Sequence, residues 1–524
     1  MLVAKESPPH PPLSGRSILN ARLSRRAAFI SVFLLFLVAL LVNAWGIPKN
    51  LPYMHEVDEQ HKVERAVRMA TTGNLNPEWF GNPGSTLLYP MTFAYRLFFG
   101  TDSQAAYEQE FWPFSIVARA ISVTYAALTI LMIFVIGRKT FGDIVGLIGA
   151  FLYIFYLVAV VHAQIIRTDS AGALFGLIAL WRILEVDERP TWPNQIIAGF
   201  AIGVSISTRY LMAPLGFVLL LVNILWWFRA PASRSSLWLP ALAGLAMVPI
   251  GFALTTPYFF LDFRAAMASL QIESRSTHVG ADGLSKPGNL AWYLTNALPQ
   301  ILTWPQYLLA ILGTILVIIR RQRRELILLG YPILFLVIIS IHSLHWARWL
   351  IPVLPIMSLL IGVAIGWLAE RLFTSSRTQT IFILAIVAAI TAWPAYQVML
   401  HDIRDSKPGT RVVARQWMIE NLPAQSRIIL EPYTPPLRGT DFDFKEETLS
   451  LARLGTLEDY RAQGYTYIVV SDETYQRFYN EPERYREFIA FYEQLFKEGE
   501  LIKEFKPSAT LGGPTIRIYS IDGG

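Results

Sequence analysis

The chain contains no cysteine. That excludes disulfides, thiolate-held metals and cysteine nucleophiles. Charge is scarce too: 16% of the 524 residues are charged against 53% hydrophobic, too apolar for an ordinary soluble protein and in keeping with a polytopic membrane protein. No internal repeat pairs one half with the other. The last part of the chain carries no phosphate loop and no Gly-rich dinucleotide fingerprint, and Gly512-Gly513 is too isolated to count as one. Nothing points to nucleic acid as a partner.

The charge that is present is unevenly placed. From His401 onward there are 16 basic and 20 acidic residues, against 29 and 19 before it. The basic excess should mark the cytoplasmic ends of membrane helices. Residues 1–26 are Pro- and Ser-rich at first and end in Arg22, Arg25 and Arg26, so they are expected to be a disordered cytoplasmic segment. Apolar runs follow at 27–46, 111–136, 144–161, 170–184, 195–207, 210–228, 237–255, 305–319, 326–341, 350–368 and 380–400. They predict about eleven transmembrane helices within residues 27–400, with the run at 195–207 short for a span. Arg138-Lys139, Arg229 and the Arg320–Arg324 cluster fall on one side. The expected topology is therefore a multi-pass plasma-membrane protein with its N-terminus cytoplasmic and large outer loops at 47–110 and 256–303.

Residues 401–524 have a different grammar. Val412–Asn421 and Glu481–Phe496 read as helices, and 427–430, 465–470 and 515–521 as strands. A small extracytoplasmic α/β domain is expected there.

The first outer loop carries the densest chemistry. It opens with Asp58-Glu59, continues with Val63, Ala66, Val67 and Ala70 at helical spacing, and passes through turn residues to Trp79-Phe80 and Asn82-Pro83-Gly84. Acids, aromatics and turns against a bilayer suggest a site, although Asp58 is equally a helix N-cap on residue type alone. Three other places stand out. Arg167 and Asp169 lie at the outer end of one helix, Arg209-Tyr210 at that of another, and His342, His345, Trp346 and Arg348 precede Pro352 and Pro355. Ionisable groups at such depth favour a cavity over lipid, and a guanidinium there suits a lipid phosphate. The plainer readings are interfacial salt bridges and a snorkelling arginine. Glu273, Arg275 and His278 read as a solvated face. His55, Asp58 and His61 have spacing that would admit a cation, but no second ligand cluster accompanies them, so neither a metal nor any other cofactor is expected.

The order of these motifs resembles the GT-C membrane glycosyltransferases, in the phospholipid-carrier-dependent branch that includes protein O-mannosyltransferases and lipid A aminoarabinose transferases. The matching residues are Asp58-Glu59, Gly73-Asn74-Leu75-Asn76-Pro77, Pro83 with Tyr89, Arg167-Thr168-Asp169, and Arg348-Trp349-Leu350-Ile351-Pro352-Val353-Leu354-Pro355. Val57 stands where that branch often has proline. The resemblance implies a polytopic α-helical GT-C fold and transfer of a sugar from a polyprenyl-phosphate donor to a hydroxyl- or amine-bearing acceptor. It implies inversion at the sugar, with Asp58 as general base and Glu59 orienting the acceptor or its helix. Asp169, with Arg167 beside it, would hold a sugar hydroxyl or a basic group, and Arg209 and Arg348 the departing phosphate. Tyr210 and Tyr89 complete the substrate-binding set. A transporter or flippase of lipid-linked sugars, and a non-catalytic scaffold displaying its outer domain, are the alternatives.

Overall fold

The structure, a computed structural model, describes residues 22–521 apart from 54, 55, 57, 83, 230–233 and 448. The expected N-terminal disordered segment therefore lies almost wholly outside the described residues. The first helix, α1 (Arg25–Trp45), is capped by Ser24, whose hydroxyl accepts from the Ala27 amide at 3.1 Å. Its entry is pinned to a neighbouring turn, the Leu23 amide donating to Asp143 at 2.8 Å.

The first loop is a folded layer of α2 (Gln60–Thr72), α3 (Ser85–Phe99) and α4 (Ser103–Gln109). The four apolar positions at helical spacing in α2 are all buried, against Leu87, Met91, Tyr95 and Phe114. The helix stops at Gly73 with φ +74°, a left-handed cap that glycine adopts without a Cβ penalty.

The bundle continues with α5 (Trp112–Thr140), α6 (Asp143–Tyr153), α7 (Leu157–Ala163), α8 (Asp169–Glu188), α9 (Trp192–Thr208), α10 (Pro214–Arg229) and α11 (Arg234–Thr255). Among the described residues, eight helices are long and apolar enough to cross a membrane, or nine if α6 and α7, bent by 65°, form one span. The other two expected spans are α8 and α9. They fall short because α8 bears Glu185, Asp187 and Glu188 at one end and α9 has only 17 residues. Small residues set α9 tightly against α11: a Cβ added at Gly199 would lie 1.9 Å from the Gly244 carbonyl oxygen.

The expected second loop is mostly helical, with α12 (Tyr258–Leu261), α13 (Phe263–Glu273) and α14 (Lys286–Trp292). It leads into α15 (Leu298–Arg320), which is broken at Thr303, φ +62°, just ahead of Pro305. The expected span at 305–319 therefore begins earlier, at Leu298, and the short helices before it have no long apolar run to reveal them. The bundle closes with α16 (Arg323–Ile341), α17 (Leu354–Leu372) and α18 (Ser376–Asp405).

The tail has α19 (Thr410–Asn421), α20 (Leu457–Ala462), α21 (Asp472–Tyr479) and α22 (Arg486–Glu498) around a five-stranded sheet. Its strands are β1 (Arg427–Leu430), β2 (Asp443–Glu446), β3 (Tyr467–Ser471), β4 (Glu500–Phe505) and β5 (Ile516–Ser520), in the order β2-β1-β3-β5-β4. β1 runs parallel to β2 and β3, and β5 antiparallel to β3 and β4. Alternate residues feed two cores: Ile429, Ile468 and Val470 on one face, Ile428, Leu430 and Val469 on the other. β2 and β4 were not read from sequence. Both are edge strands, and DFKE and ELIKEF carry the charge that edges use against mispairing. The expected helix at Glu481–Phe496 begins later, at Arg486, after a turn.

Candidate functional site

Asp58 and Glu59 are adjacent but have opposite surroundings. Glu59 is fully buried. Arg119, two turns into α5 and also fully buried, donates to it from Nε at 2.9 Å and from Nη2 at 2.6 Å. The Ile166 and Glu56 amides donate to the same carboxylate, each at 2.9 Å. Arg119 also donates to the carbonyls of Ile47 (2.6 Å) and Lys49 (2.9 Å). A buried carboxylate with four donors, two of them from one bidentate guanidinium, is a satisfied charge pair that ties the first loop to α5 and to the turn before α8.

Asp58 projects from that anchor. Its φ is +73°, and the residue at the N-cap of α2 is Glu59, so Asp58 is not a helix cap. Its carboxylate pairs with Arg167 at 2.6 Å and is half exposed. Burial works against its charge, but Arg167, then Lys62, His61 and Arg348, hold its pKa below the ordinary carboxylate value. Asp58 is therefore ionised near neutral pH. Lys62 donates to the Asp58 carbonyl at 2.7 Å, and burial lowers its pKa to about 8.

Arg167, Thr168 and Asp169 enter α8 in three directions. Arg167 meets Asp58. Thr168 pairs with Asn82, whose side-chain nitrogen donates to its hydroxyl at 3.2 Å. Asp169 forms a buried pair with Arg209, at the end of α9. Arg348 lies in a 3₁₀ turn between α16 and α17, stacked 4.7 Å from the centre of the Trp346 ring. Among the described residues it has no ion pair. It feels Arg167, Asp169, Arg209 and Asp58, and burial, then Arg167, lowers its pKa to about 10, which leaves it charged. Four cations (Lys62, Arg167, Arg209, Arg348) thus face two carboxylates (Asp58, Asp169). An excess of guanidinium at this density favours an anion.

Two cavities lie among the same elements, and Lys62 of the cluster lines the first. One is lined by His61, Lys62, Arg65, Trp79, Asn82 and Thr168, with Leu87, Leu88 and Met91 at its apolar side. The other, about 500 Å³ and mostly apolar, lies among α3, α5, α8 and α11, with Tyr89, Tyr125, Phe175 and Tyr258 in its wall. Its Thr86 hydroxyl is 2.9 Å from that of Thr208, the residue before Arg209. Tyr210 is held away from open space, its hydroxyl donating to the Phe80 carbonyl at 2.7 Å.

The structure thus gathers Asp58, Arg167, Asp169, Arg209 and Arg348. Glu59 is packed behind them, Tyr89 lines the apolar cavity, and Tyr210 braces the first loop. His55 lies outside the described residues, and no three His, Asp or Glu side chains among the described residues converge as metal ligands. Pro83 and Val57 also lie outside them. His278 is not a solvated-face residue, since its ring packs edge-on to Trp346 at 5.2 Å. Sequence reading missed Arg119, although a lone arginine inside the apolar run 111–136 was the available signal.

The same architecture occurs in ArnT from Cupriavidus metallidurans in the apo state. That structure is 16% identical, the match covers 94% of this chain and 98% of that one, and the TM-score is 0.53. The chain has the GT-C fold of membrane glycosyltransferases. A second GT-C structure, ArnT of the same organism bound to undecaprenyl phosphate, matches at 14% identity over 94% and 98% of the two chains with TM-score 0.53. The Archaeoglobus fulgidus oligosaccharyltransferase tethered with an acceptor peptide matches at 13% over 94% and 74%, with TM-score 0.52. Residues 114–252 match the sequence family described as dolichyl-phosphate-mannose-protein mannosyltransferase. That stretch holds Arg119, Arg167, Asp169, Arg209 and Tyr210, while Asp58, Glu59, Tyr89 and Arg348 lie outside it. No curated protein sequence matches the chain.

Proposed function

We propose that this GT-C protein transfers a sugar from a polyprenyl-phosphate donor to a hydroxyl- or amine-bearing acceptor at the outer face of the plasma membrane. The observation that carries this reading is the half-exposed Asp58 carboxylate set among guanidinium groups in excess over carboxylates. An acceptor hydroxyl is a weak nucleophile near neutral pH, and Asp58 is placed to take its proton as the new bond forms at the anomeric carbon. The bond from that carbon to the phosphate oxygen breaks on the opposite side, the configuration inverts, and the lipid phosphate leaves with the electron pair. Arg348, which has no carboxylate partner among the described residues, and Arg209 would hold the growing negative charge. Asp169 would orient Arg209, Arg167 would orient Asp58, and Glu59 would position the loop without touching substrate. The apolar cavity with Tyr89 suits the first isoprene units of a donor.

The tail and the first loop would lie outside the cell, with the arginine-rich end of the bundle in the cytoplasm. The test is release of labelled sugar from a panel of polyprenyl-phosphate donors by the purified protein in detergent. Release by wild type and its loss in Asp58→Asn would support the reading, and binding without release by either would favour a carrier of lipid-linked sugars.

A further inference from the structure

The tail is more than a neighbour of the site. Arg484, in the turn before α22, forms a two-pronged pair with Asp282 of the bundle, Nη1 to Oδ1 at 3.0 Å and Nη2 to Oδ2 at 2.9 Å. Asp282 is almost wholly buried, whereas the Arg484 side chain is 38% exposed. The same carboxylate accepts from the His278 amide at 2.9 Å and so fixes residues 278–282 as a closed turn. Two contacts lead from that turn to the site: the His345 amide donates to the Ala281 carbonyl at 2.8 Å, and the His278 ring packs edge-on to Trp346. Trp346 is the ring on which Arg348 lies.

We infer that Arg484 is a positioning residue for the lipid phosphate: by clamping Asp282 it holds Trp346, and through Trp346 the guanidinium of Arg348. The inference rests on the reading of Arg348 as a phosphate ligand. Its physical basis is that Arg348 has no ion pair among the described residues to fix it, so its direction depends on the ring beneath it. Loss of Arg484 would leave Asp282 a buried carboxylate with one remaining donor, and the turn would open to let water reach it. Trp346 would keep its link to the Tyr293 hydroxyl, 3.3 Å from its amide, so the effect should be partial.

The test is a double-mutant cycle on the full-length protein, with undecaprenyl phosphate as probe and uncharged undecaprenol as control. Arg348→Ala should weaken phosphate-lipid binding, and Arg484→Ala should weaken it by less than Arg348→Ala does but by at least roughly 2-fold, the low end of what packed networks carry. The double variant should be no weaker than Arg348→Ala alone. Binding of undecaprenol should not change. If Arg484→Ala does not fold, the same cycle run with Arg484→Lys decides, because lysine keeps the charge and loses the fork. Unchanged affinity in Arg348→Ala would overturn the phosphate-ligand reading itself. A weakened Arg348→Ala with an unaffected Arg484 variant, with additive losses, or with equal loss for undecaprenol, would overturn the positioning role and leave that reading standing.

Discussion

Both ends of the helical bundle are rich in ion pairs, yet they use them differently. At the end away from the tail, Lys139 bridges Glu185 and Glu188, Arg323 meets Asp187, Arg324 meets Glu188 and Arg138 meets Asp143. These pairs join α5, α6, α8 and α16 to one another, and the charges cancel locally. At the tail-side end the matching is unequal: Asp58 is half exposed, and Arg348 has no carboxylate partner among the described residues. One end is stapled, and the other keeps charge in reserve for something not made of protein. The same residue types therefore say little by themselves; what differs is whether each charge is already matched.

The contrast can be broken most sharply at Asp58. Asparagine tolerates a positive φ as well as aspartate does, so Asp58→Asn should fold normally and lose roughly 10²- to 10⁴-fold in turnover, the usual worth of a positioned base. Because the folded pKa of Asp58 is depressed, activity should persist as the pH falls through the ordinary carboxylate range. Arg167→Ala should move that acid limit upward, as a pH–rate profile would read. Near-normal transfer by Asp58→Asn would make the tail-side end one more staple.

Glu59→Gln should behave oppositely to its neighbour. It leaves Arg119 buried beside a neutral amide and should cost about 3–5 kcal/mol of stability, seen as a lowered melting temperature. A stable but inactive Glu59→Gln protein would mean that chemistry, not anchoring, belongs to Glu59. Next in size, Arg348→Ala should reduce donor use about tenfold, and Arg348→Lys less, since lysine keeps the charge without the planar fork; equal losses would reduce the site to a simple point charge. The smallest effect is expected at the other end. Arg324→Ala, at a partly exposed pair, should change stability by less than about 1 kcal/mol and leave turnover alone. A large loss of transfer there would erase the distinction between the two ends.

The sequence made the apolar helices legible because a span must be long and apolar, and it made α2 legible because its buried positions follow the helical period. It also brought out Asp58, Arg167, Asp169, Arg209 and Arg348, since charge beside a bilayer is costly without purpose. What it did not show was that Glu59 is buried and Asp58 half exposed. Their burial is decided by Arg119, sixty positions away, and no local pattern carries that information. The edge strands of the tail were missed for a related reason: their polar faces answer to sheet position, which only the fold defines. The short helices of the second loop pack through few residues each, below the length at which periodicity speaks.

The Glu59 anchor also sets how far Asp58 can wander. Its carboxylate hangs one residue beyond a fixed pivot, so its freedom is that of a short overhang rather than of a loop. The chain on the other side of Asp58 is tethered as well, the Glu56 amide being bound to the same carboxylate. Motion of Asp58 is thereby confined to fast side-chain hops, and slow excursions require the buried pair to part. In hydrogen exchange the Glu56 and Ile166 amides should be among the last of their segments to open, reporting on how rigidly the reacting group is mounted.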